Sequence, residues 1–284
     1  MDGIITIKYG KWQAEIAPSV GGNLISLLFD GQYILRRPKD IETLKASPCL
    51  YGLPLLLPAN RVKDATFEFH RVKYHLPMNE PARGNHLHGL LNSASFEVVD
   101  KDENCVSTIL RNNGEYYPFP FDICIKDCLD DAGLRREIVL KNTGSLSMPY
   151  TMAFHATFVE PKVFTVPLGQ RYLVDERMIP TGQLRDLTSD EICYCNGMDP
   201  RAGQVSGFYT SAGNIAKLDG FSLKVSNQFD NWVLFNAGGG KDFLCIEPQC
   251  GAVDGLNNGR HRILEPNQYD IFTLEIHKNS GEPM

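Results

Sequence analysis

The feature that most constrains this chain is the alternation of apolar with polar or small residues along many short segments. In Phe121–Cys128 the apolar side chains recur at every second position, a period typical of a strand with one buried face and not of a helix. The next segment, Leu134–Lys141, follows the turn residues Asp130, Asp131 and Gly133. The two segments therefore predict a β-hairpin.

Similar patterns recur along the chain. They predict further strands at Thr66–Tyr74, Ser95–Asp100, Val106–Arg111, Met148–His155, Phe221–Val225, Trp232–Asn236, Phe243–Glu247 and Tyr269–His277. Only Asp40–Lys45 has a helical pattern, with Asp40 as its expected N-cap. The segment Leu187–Gly207 is rich in Gly, Pro, Ser and Asp and is predicted to be a long surface loop. The predicted fold class is all-β.

Nothing divides the chain into parts. We find no internal repeat, low-complexity linker or change of composition, so residues 1–284 are predicted to form one domain. A chain of this length can bury a large core. One large antiparallel β-sandwich is the simplest arrangement for so many strands.

The charge balance excludes some partners. There are 28 basic and 34 acidic residues, a formal net charge of −6, and no basic run that could neutralise a line of phosphates, so nucleic acid is not expected. The longest apolar run, Leu53–Pro58, is interrupted by prolines and is far shorter than the roughly 20 residues of a membrane helix. We expect no membrane partner.

The ends and the cysteines bear on location. Residues 1–8 lack a basic segment that leads into a long apolar stretch, so we expect a first strand there and no signal peptide. The eight cysteines are scattered, which favours reduced thiols and a cytoplasmic protein. The pairs Cys193/Cys195 and Cys124/Cys128 are too isolated to predict a four-ligand metal site.

Histidines are the first candidates for chemistry, because imidazole can donate or accept a proton near neutrality. His86 and His88 flank Leu87, so an extended backbone would place them on the same face. His155 interrupts an apolar strand, and Glu247 is predicted to stand where a strand ends. Each residue taken alone is more often structural, since buried polar groups are normally just paired.

Several short motifs resemble, in order and spacing, those of the aldose 1-epimerase, or galactose mutarotase-like, family. They are Leu57–Val62, Tyr74–Pro81, Asn85–Leu91, Met148–Tyr150 with His155, Tyr172–Asp175 with Ile179–Gly182, and Cys245–Gln249. The resemblance spans most of the chain. It implies a large antiparallel β-sandwich that acts on a sugar such as a hexose, without metal or cofactor.

The resemblance also implies roles for individual residues. His155 resembles the family's general acid, Glu247 its general base and His88 its second active-site histidine. Asn60 and Arg61 resemble its sugar-contacting pair. The predicted substrate-binding residues further include Asn85 and His86, from the motif that contains His88.

The chain departs from the family pattern in three places. Gly89 is followed by Leu90 where a second glycine is common, and His155 is followed by Ala156 where a proline is common. The acidic residue that binds a sugar hydroxyl in many members has no matching motif. Asp219 and Asp230 are the candidates for it.

The implied chemistry is the interconversion of α and β anomers. The C1 hydroxyl must lose a proton while the ring oxygen gains one, so that the ring opens to an aldehyde and closes again on the other face. We expect an ionised Glu247 to take the hydroxyl proton and a protonated His155 to serve the ring oxygen. His88 would stabilise developing charge, and Arg61 would orient the hydroxyls.

Aromatic side chains near the motifs are candidates to stack on the sugar. They are Tyr51, Phe154, Phe158 and Trp232. Burial in the core is the usual fate of such residues, so we expect most of them to be core residues.

Three other functions stay open. His86, His88, His155 and Glu247 contain enough ligands for a zinc or iron enzyme. The chain could also be a sugar-binding protein that has kept the sandwich without catalysis.

A hexose-phosphate mutarotase is the third alternative. It would need further basic residues near Arg61, and Lys63 and Arg71 are the candidates that the sequence offers.

Overall fold

The computed structural model describes residues 3–279. Its strands are β1 Ile5–Tyr9, β2 Trp12–Ala17, β3 Asn23–Phe29, β4 Gln32–Tyr33, β5 Leu55–Leu56, β6 Arg61–Lys63, β7 Thr66–Phe69, β8 Val72–His75, β9 Asn85–Leu87, β10 Glu97–Lys101, β11 Cys105–Asn112, β12 Phe121–Leu129, β13 Gly133–Asn142, β14 Met148–Tyr150, β15 Met152–Phe154, β16 Thr157–Val159, β17 Phe164–Thr165, β18 Leu168–Val174, β19 Pro180–Arg185, β20 Ser206–Ser211, β21 Ile215–Leu218, β22 Phe221–Val225, β23 Asn231–Phe235, β24 Phe243–Cys250, β25 Arg262–Leu264 and β26 Tyr269–Lys278. The α-helices are α1 Ile41–Ala46, α2 Ser189–Asn196 and α3 Gly255–Asn258, and 3₁₀ turns cover Pro48–Leu50, Leu91–Ser93 and Pro200–Ala202.

Two eight-stranded antiparallel sheets form the body of the fold. Sheet I has the order β10-β11-β12-β13-β26-β22-β21-β17. Sheet II has the order β19-β18-β20-β23-β24-β15-β5, with β16 also paired to β24. A four-stranded sheet of β1 to β4 and three two-stranded pairs complete it. The predicted all-β antiparallel fold is confirmed.

The sheets share one apolar core. A single buried cluster contains residues of the N-terminal sheet, sheet I and sheet II. Phe229 connects the two large sheets, because its ring centroid lies 5.9 Å from that of Phe154 in sheet II and 5.4 Å from that of Phe272 in sheet I. This packing of face on face is the predicted sandwich. The assignment of residues 1–284 to one domain stays a prediction.

Local predictions are confirmed where alternation was clear. β12 and β13 form the predicted hairpin, and the alternate residues from Phe121 to Leu129 are all buried. The predicted helix is α1, whose first turn is capped by the Asp40 side chain accepting a hydrogen bond from the Thr43 N–H. The expected first strand is β1, and Met1 and Asp2 lie outside the described residues.

Two predicted strands are divided in the structure. Thr66–Tyr74 is a hairpin, since His70 and Arg71 adopt positive φ and reverse the chain between β7 and β8. Met148–His155 contains β14, which pairs with β25, and β15, which belongs to sheet II. At the break, the Thr151 hydroxyl accepts a hydrogen bond from the Ala59 N–H.

The prediction of a loop throughout Leu187–Gly207 was wrong, because the segment contains helix α2. Thr188 and Glu191 form a capping box in which each side chain accepts the other's backbone N–H. This pair is itself a sequence signature of a helix start. The Glu191 carboxylate also binds Arg171 and Arg185 from sheet II, which fixes the helix to the sheet edge.

The prediction of eight reduced thiols was wrong for one pair. Cys105 and Cys128 are joined by a disulfide, with Cα atoms 4.2 Å apart. They lie directly opposite each other on β11 and β12, a consequence of strand register that composition cannot reveal. The other six cysteines are free. The cytoplasmic location stays a prediction.

None of the helices within residues 3–279 is both long enough and apolar enough to cross a membrane.

A buried ion pair of sheet I also contacts the N-terminal sheet and the segment that enters sheet II. Arg136 on β13 and Asp127 on β12 are opposite each other and fully buried, with Nε and Oδ1 3.3 Å apart. The guanidinium also donates to the carbonyl oxygens of Leu53, at 2.9 Å, and Gly22, at 2.5 Å. One side chain of sheet I thereby holds the segment that enters sheet II and a turn of the N-terminal sheet.

We predict that Arg136→Ala lowers the free energy of unfolding by about 3–5 kcal/mol, because it leaves a buried carboxylate and two carbonyls unpaired. Urea denaturation of the purified protein measures this loss. The matched control is Arg135→Ala, which removes an exposed ion pair and should cost at most about 1 kcal/mol. Equal losses in the two variants would contradict the role given to Arg136.

Candidate active site

The candidate site lies on one face of sheet II. Strand pairing places Phe208 opposite Val233, and Val233 opposite Glu247. The pairings of β24 with β15 and with β16 have the same register, so that His155, between those two strands, falls opposite Glu247. Directly opposed residues of antiparallel strands project to the same face. These side chains therefore form a row that ends in the pair His155 and Glu247.

Glu247 lies within β24, so the prediction that a strand ends there was wrong. The strand continues through Pro248 to Cys250. Proline has no N–H to donate, and the ladder to β15 and β16 is interrupted at the residues opposite Glu247 and Pro248. On the other edge, the backbone N–H of His155 donates to the carbonyl oxygen of Pro54 at 3.1 Å. A proline is thus accommodated in a central strand.

The two side chains of the pair meet in a buried position. His155 Nε2 and Glu247 Oε1 are 3.3 Å apart, and the side chains are 6% and 3% exposed. The Nδ1 atom of His155 is buried and has no hydrogen-bond partner among the described residues. A carboxyl and an imidazole in contact are the kinds of group that move protons in acid–base catalysis.

His88 approaches the pair from another part of the fold. Its ring lies edge-on to that of His155, with centroids 5.1 Å apart. The strand β9 ends at Leu87 and His88 has φ of +64°, so the expected extended geometry, with His86 and His88 on one face, was wrong. The next residue must be glycine, because a Cβ at Gly89 would lie 2.1 Å from the Leu57 carbonyl oxygen.

Arg61 is held by an acidic residue that the sequence analysis did not assign. Its Nε and Nη2 donate to the two oxygens of Glu80, at 2.9 and 2.8 Å. Glu80 accepts two further bonds, from Arg83 and from Asn85, so all four acceptor positions of the carboxylate are used. Glu80 lies in the quoted motif Tyr74–Pro81, but the motif does not reveal the partner that the carboxylate meets.

Asn85 and His86 lie behind the cavity wall and not on it. The Asn85 side chain donates to Glu80 and to the Arg177 carbonyl oxygen, both at 3.0 Å. His86 Nδ1 donates to the Pro77 carbonyl oxygen at 2.6 Å, and its Nε2 is buried without a partner among the described residues. The structure therefore gives these two predicted substrate-binding residues positions that support the wall.

These residues surround a cavity of about 570 Å³, within the size range of small-molecule sites. The five other predicted site residues reach it. Its lining consists of Cys49, Leu50, Asn60, Arg61, Glu80, Arg83, Leu87, His88, His155, Met178, Gln204, Ser206, Phe208, Val233, Leu234, Phe235 and Glu247. The lining contains both polar and apolar side chains.

The aromatic candidates do not line the cavity. Phe154, Phe158 and Trp232 are fully buried core residues, as the analysis expected of most of them. The cavity lining instead contains Phe208 and Phe235. Strand alternation selects the face on which these two lie, but only the three-dimensional fold shows that this face borders a cavity.

The acidic candidates for hydroxyl binding lie elsewhere. Asp219 accepts hydrogen bonds from the backbone N–H groups of Lys162 and Val163. Asp230 accepts from the Asn231 side chain and the Gly251 N–H. Both carboxylates serve to hold turns and are absent from the cavity lining.

Burial opposes charge on Glu247, His155 and His88. Desolvation raises the pKa of Glu247 to about 8, although Arg61 acts to lower it. Desolvation lowers the pKa of His155 to about 4. The pKa of His88 is well below 6.5, because of burial and of the nearby His155 and Arg61.

Burial therefore favours the uncharged forms of all three side chains. This direction runs against the expectation of an ionised Glu247 beside a protonated His155, which stays a prediction. The physical reason for the direction is that a buried charge loses its hydration energy. A proton shared by the His155–Glu247 pair is favoured on the carboxyl group.

Comparison with known proteins assigns the chain to a family. The sequence model of the aldose 1-epimerase family matches residues 3–269. The Escherichia coli K12 protein YihR, described as uncharacterised, is 26% identical over 187 residues, which cover 62% of this chain and 59% of YihR. The matched part thus spans less than two thirds of that relative.

Solved structures share the fold. A galactose mutarotase-like protein from Clostridium acetobutylicum is 23% identical and superposes with a TM-score of 0.89, covering 96% of this chain and 94% of that one. A GalM/aldose epimerase homologue from C. elegans is 18% identical, with a TM-score of 0.81 and coverage of 98% and 99%. A galactose 1-epimerase from Lactobacillus acidophilus is 16% identical, with a TM-score of 0.78 and coverage of 97% and 94%. At these identities the similarity concerns the fold.

The raised pKa of Glu247 predicts a pH effect on stability. Between the ordinary carboxyl value of 4.5 and about 8, the folded protein holds a proton that the unfolded chain releases, so this group makes stability fall as pH rises. Glu247→Gln removes the effect. As pH rises through this window, the free energy of unfolding of the variant, measured by urea denaturation, should increase relative to that of wild type by up to about 1.4 kcal/mol per pH unit. A difference independent of pH would contradict the shift.

Proposed function

Because this chain belongs to the aldose 1-epimerase family, we propose that it interconverts the α and β anomers of a hexose by acid–base opening and closing of the ring. The observation that carries the proposal is the direct contact of His155 and Glu247 at the wall of a cavity, with His88 beside them. A carboxyl group and an imidazole thus meet at one point of the cavity lining, where both side chains are nearly buried.

The proposed reaction needs two coordinated proton transfers. Glu247 takes the proton of the C1 hydroxyl while His155 gives a proton to the ring oxygen, so the C1–ring oxygen bond breaks and an aldehyde forms. After rotation about C1–C2, the same transfers run in reverse on the other face. The pair returns to its starting state, so the sugar is the only compound changed.

This division of roles requires the mobile proton to be on His155 when the sugar is bound. Two features of the site support its transfer from Glu247. The 3.3 Å contact offers a direct path, and the Arg61 guanidinium acts to lower the pKa of Glu247. Polar hydroxyls of a bound sugar would further favour the charged pair, because they replace hydration that burial removes.

The cavity offers both kinds of contact that a pyranose makes. Asn60, Arg61 and His88 offer hydrogen-bonding groups. The Glu80 carboxylate, whose four acceptor positions are all used, orients Arg61. Phe208 offers an apolar surface against which the C–H groups of a sugar can pack.

A hexose phosphate is the second candidate substrate, and Arg83 is the observation that favours it. The single charge of Glu80 is shared by Arg61 and Arg83, which leaves one excess positive charge at the wall. The Arg83 side chain is 45% exposed, so it can reach an anionic group. Lys63 and Arg71, the candidates from the sequence, do not line the cavity.

We predict that His155→Ala and Glu247→Gln each lower kcat for hexose mutarotation by about 10²–10⁴-fold, the usual contribution of a positioned proton donor or acceptor. Polarimetry on glucose and galactose measures the rates. Matched controls are His75→Ala and Glu68→Gln, which change exposed residues outside the cavity. Rates near wild type in both site variants would remove the pair from the mechanism.

The same assay tests the alternative of a sugar-binding protein without catalysis. Wild-type protein that fails to accelerate mutarotation, while hexoses still raise its Tm, would replace the proposed enzyme by a binding protein.

For the phosphate alternative, we predict that Arg83→Ala raises KM for a hexose 6-phosphate at least about tenfold, the loss of one charge-assisted hydrogen bond, and changes KM for the free hexose less than about twofold. Arg71→Ala, outside the cavity, is the control. If Arg83→Ala leaves KM unchanged for the hexose 6-phosphate as well as for the free hexose, the free hexose stays the proposed substrate.

A further inference from the structure

We propose that His155, Cys245 and Glu247 form a binding site for a thiophilic divalent metal ion, such as Zn²⁺, and that the bound ion inhibits the enzyme. The binding site stands on the geometry of three side chains. The inhibition rests on the proposed function, because the ion would occupy the two groups that are proposed to transfer protons.

The three side chains converge because of the sheet. Cys245 and Glu247 are two residues apart on β24 and therefore project to the same face. His155 falls opposite Glu247, and Thr157 is directly opposite Cys245. Within residues 3–279, these three are the group of potential ligands whose donor atoms all lie within 4.8 Å of one another.

The spacing is close to that of a metal site. Tetrahedral zinc with bonds of about 2.0–2.3 Å places its ligand atoms roughly 3.3–3.6 Å apart. His155 Nε2 and Glu247 Oε1 are already 3.3 Å apart. A modest rotation of the Cys245 thiol would complete a three-ligand site, and such a rotation gives up only a 3.5 Å contact with the Thr157 hydroxyl.

The chemistry of the donors selects the metal. A nitrogen, a sulfur and a carboxylate oxygen form a ligand set that zinc and its heavier analogue cadmium accept, whereas calcium and magnesium prefer oxygen alone. His155 and Glu247 line the cavity, so an ion can enter from that side and keep its fourth position open to the cavity.

Inhibition follows from which atoms the ion holds. A metal on His155 Nε2 and on the Glu247 carboxylate removes the lone pairs that would exchange protons with a sugar. Cys245 is fully buried and absent from the cavity lining. Its replacement should therefore weaken the metal site without removing a group that faces the sugar.

The test is a metal titration of the full chain after treatment with a chelator. Cd²⁺ should produce thiolate-to-metal absorption in wild type, and Cys245→Ser should lose this signal. Cys193→Ser, which changes an exposed thiol, is the matched control and should keep it. In the mutarotation assay, Zn²⁺ should inhibit wild type reversibly, and Cys245→Ser should need at least about tenfold more Zn²⁺, a minimal loss for a missing ligand.

Several outcomes would overturn the proposal. A cadmium–thiolate signal that persists in Cys245→Ser, or is absent in wild type, would remove the site. Cys245→Ala provides a second variant if the serine variant does not fold. Binding of Zn²⁺ without inhibition would rule out the inhibitory role. If activity is lost on chelation and restored by Zn²⁺, the ion activates the enzyme and the proposed inhibition is wrong. If the protein has no mutarotase activity either after chelation or with Zn²⁺ added back, the proposed function fails while the cadmium titration still tests the site.

Discussion

The buried contact between Arg136 and Asp127 is the interaction on which the rest of the structure depends. A guanidinium with no access to water must find partners for its donors, and here these partners are a carboxylate of sheet I, a turn of the N-terminal sheet and the segment that enters sheet II. The Leu53 carbonyl that it holds is next to Pro54, whose carbonyl receives the backbone N–H of His155. The position of the candidate proton donor is therefore coupled to the centre of the sandwich by two successive backbone contacts.

The site itself is a product of strand register. His155 and Glu247 are 92 residues apart in the chain and no loop carries both, yet one continuous register through β15, β24 and β16 sets them side by side. The same register aligns Val233 and Phe208 with Glu247. Sheet II thereby carries one row of these side chains, and the turn at His88 and Gly89 brings the second histidine into contact with His155.

Much of the fold could be predicted from the sequence, because period-two alternation reports directly which residues are buried, as in β12 and β13. The family motifs also indicated His155 and Glu247. What alternation cannot report is which strands pair and in what register. For that reason the opposition of Cys105 to Cys128, the four hydrogen bonds accepted by Glu80 and the burial that raises the pKa of Glu247 became apparent only in three dimensions.

The gap that Pro248 leaves in the ladder has a consequence for how this site can vary. Any other residue at that position would bring an N–H group to the edge facing β15, and a new hydrogen bond there could join β15 and β16 into one uninterrupted strand. The new hydrogen bond would fix Phe154, the neighbour of His155, while the His155 N–H, which faces the other edge, would keep its bond to Pro54. The position of the His155 side chain relative to Glu247 can thus be altered by a residue that does not line the cavity, which makes position 248 a place where related chains could diverge while keeping both His155 and Glu247.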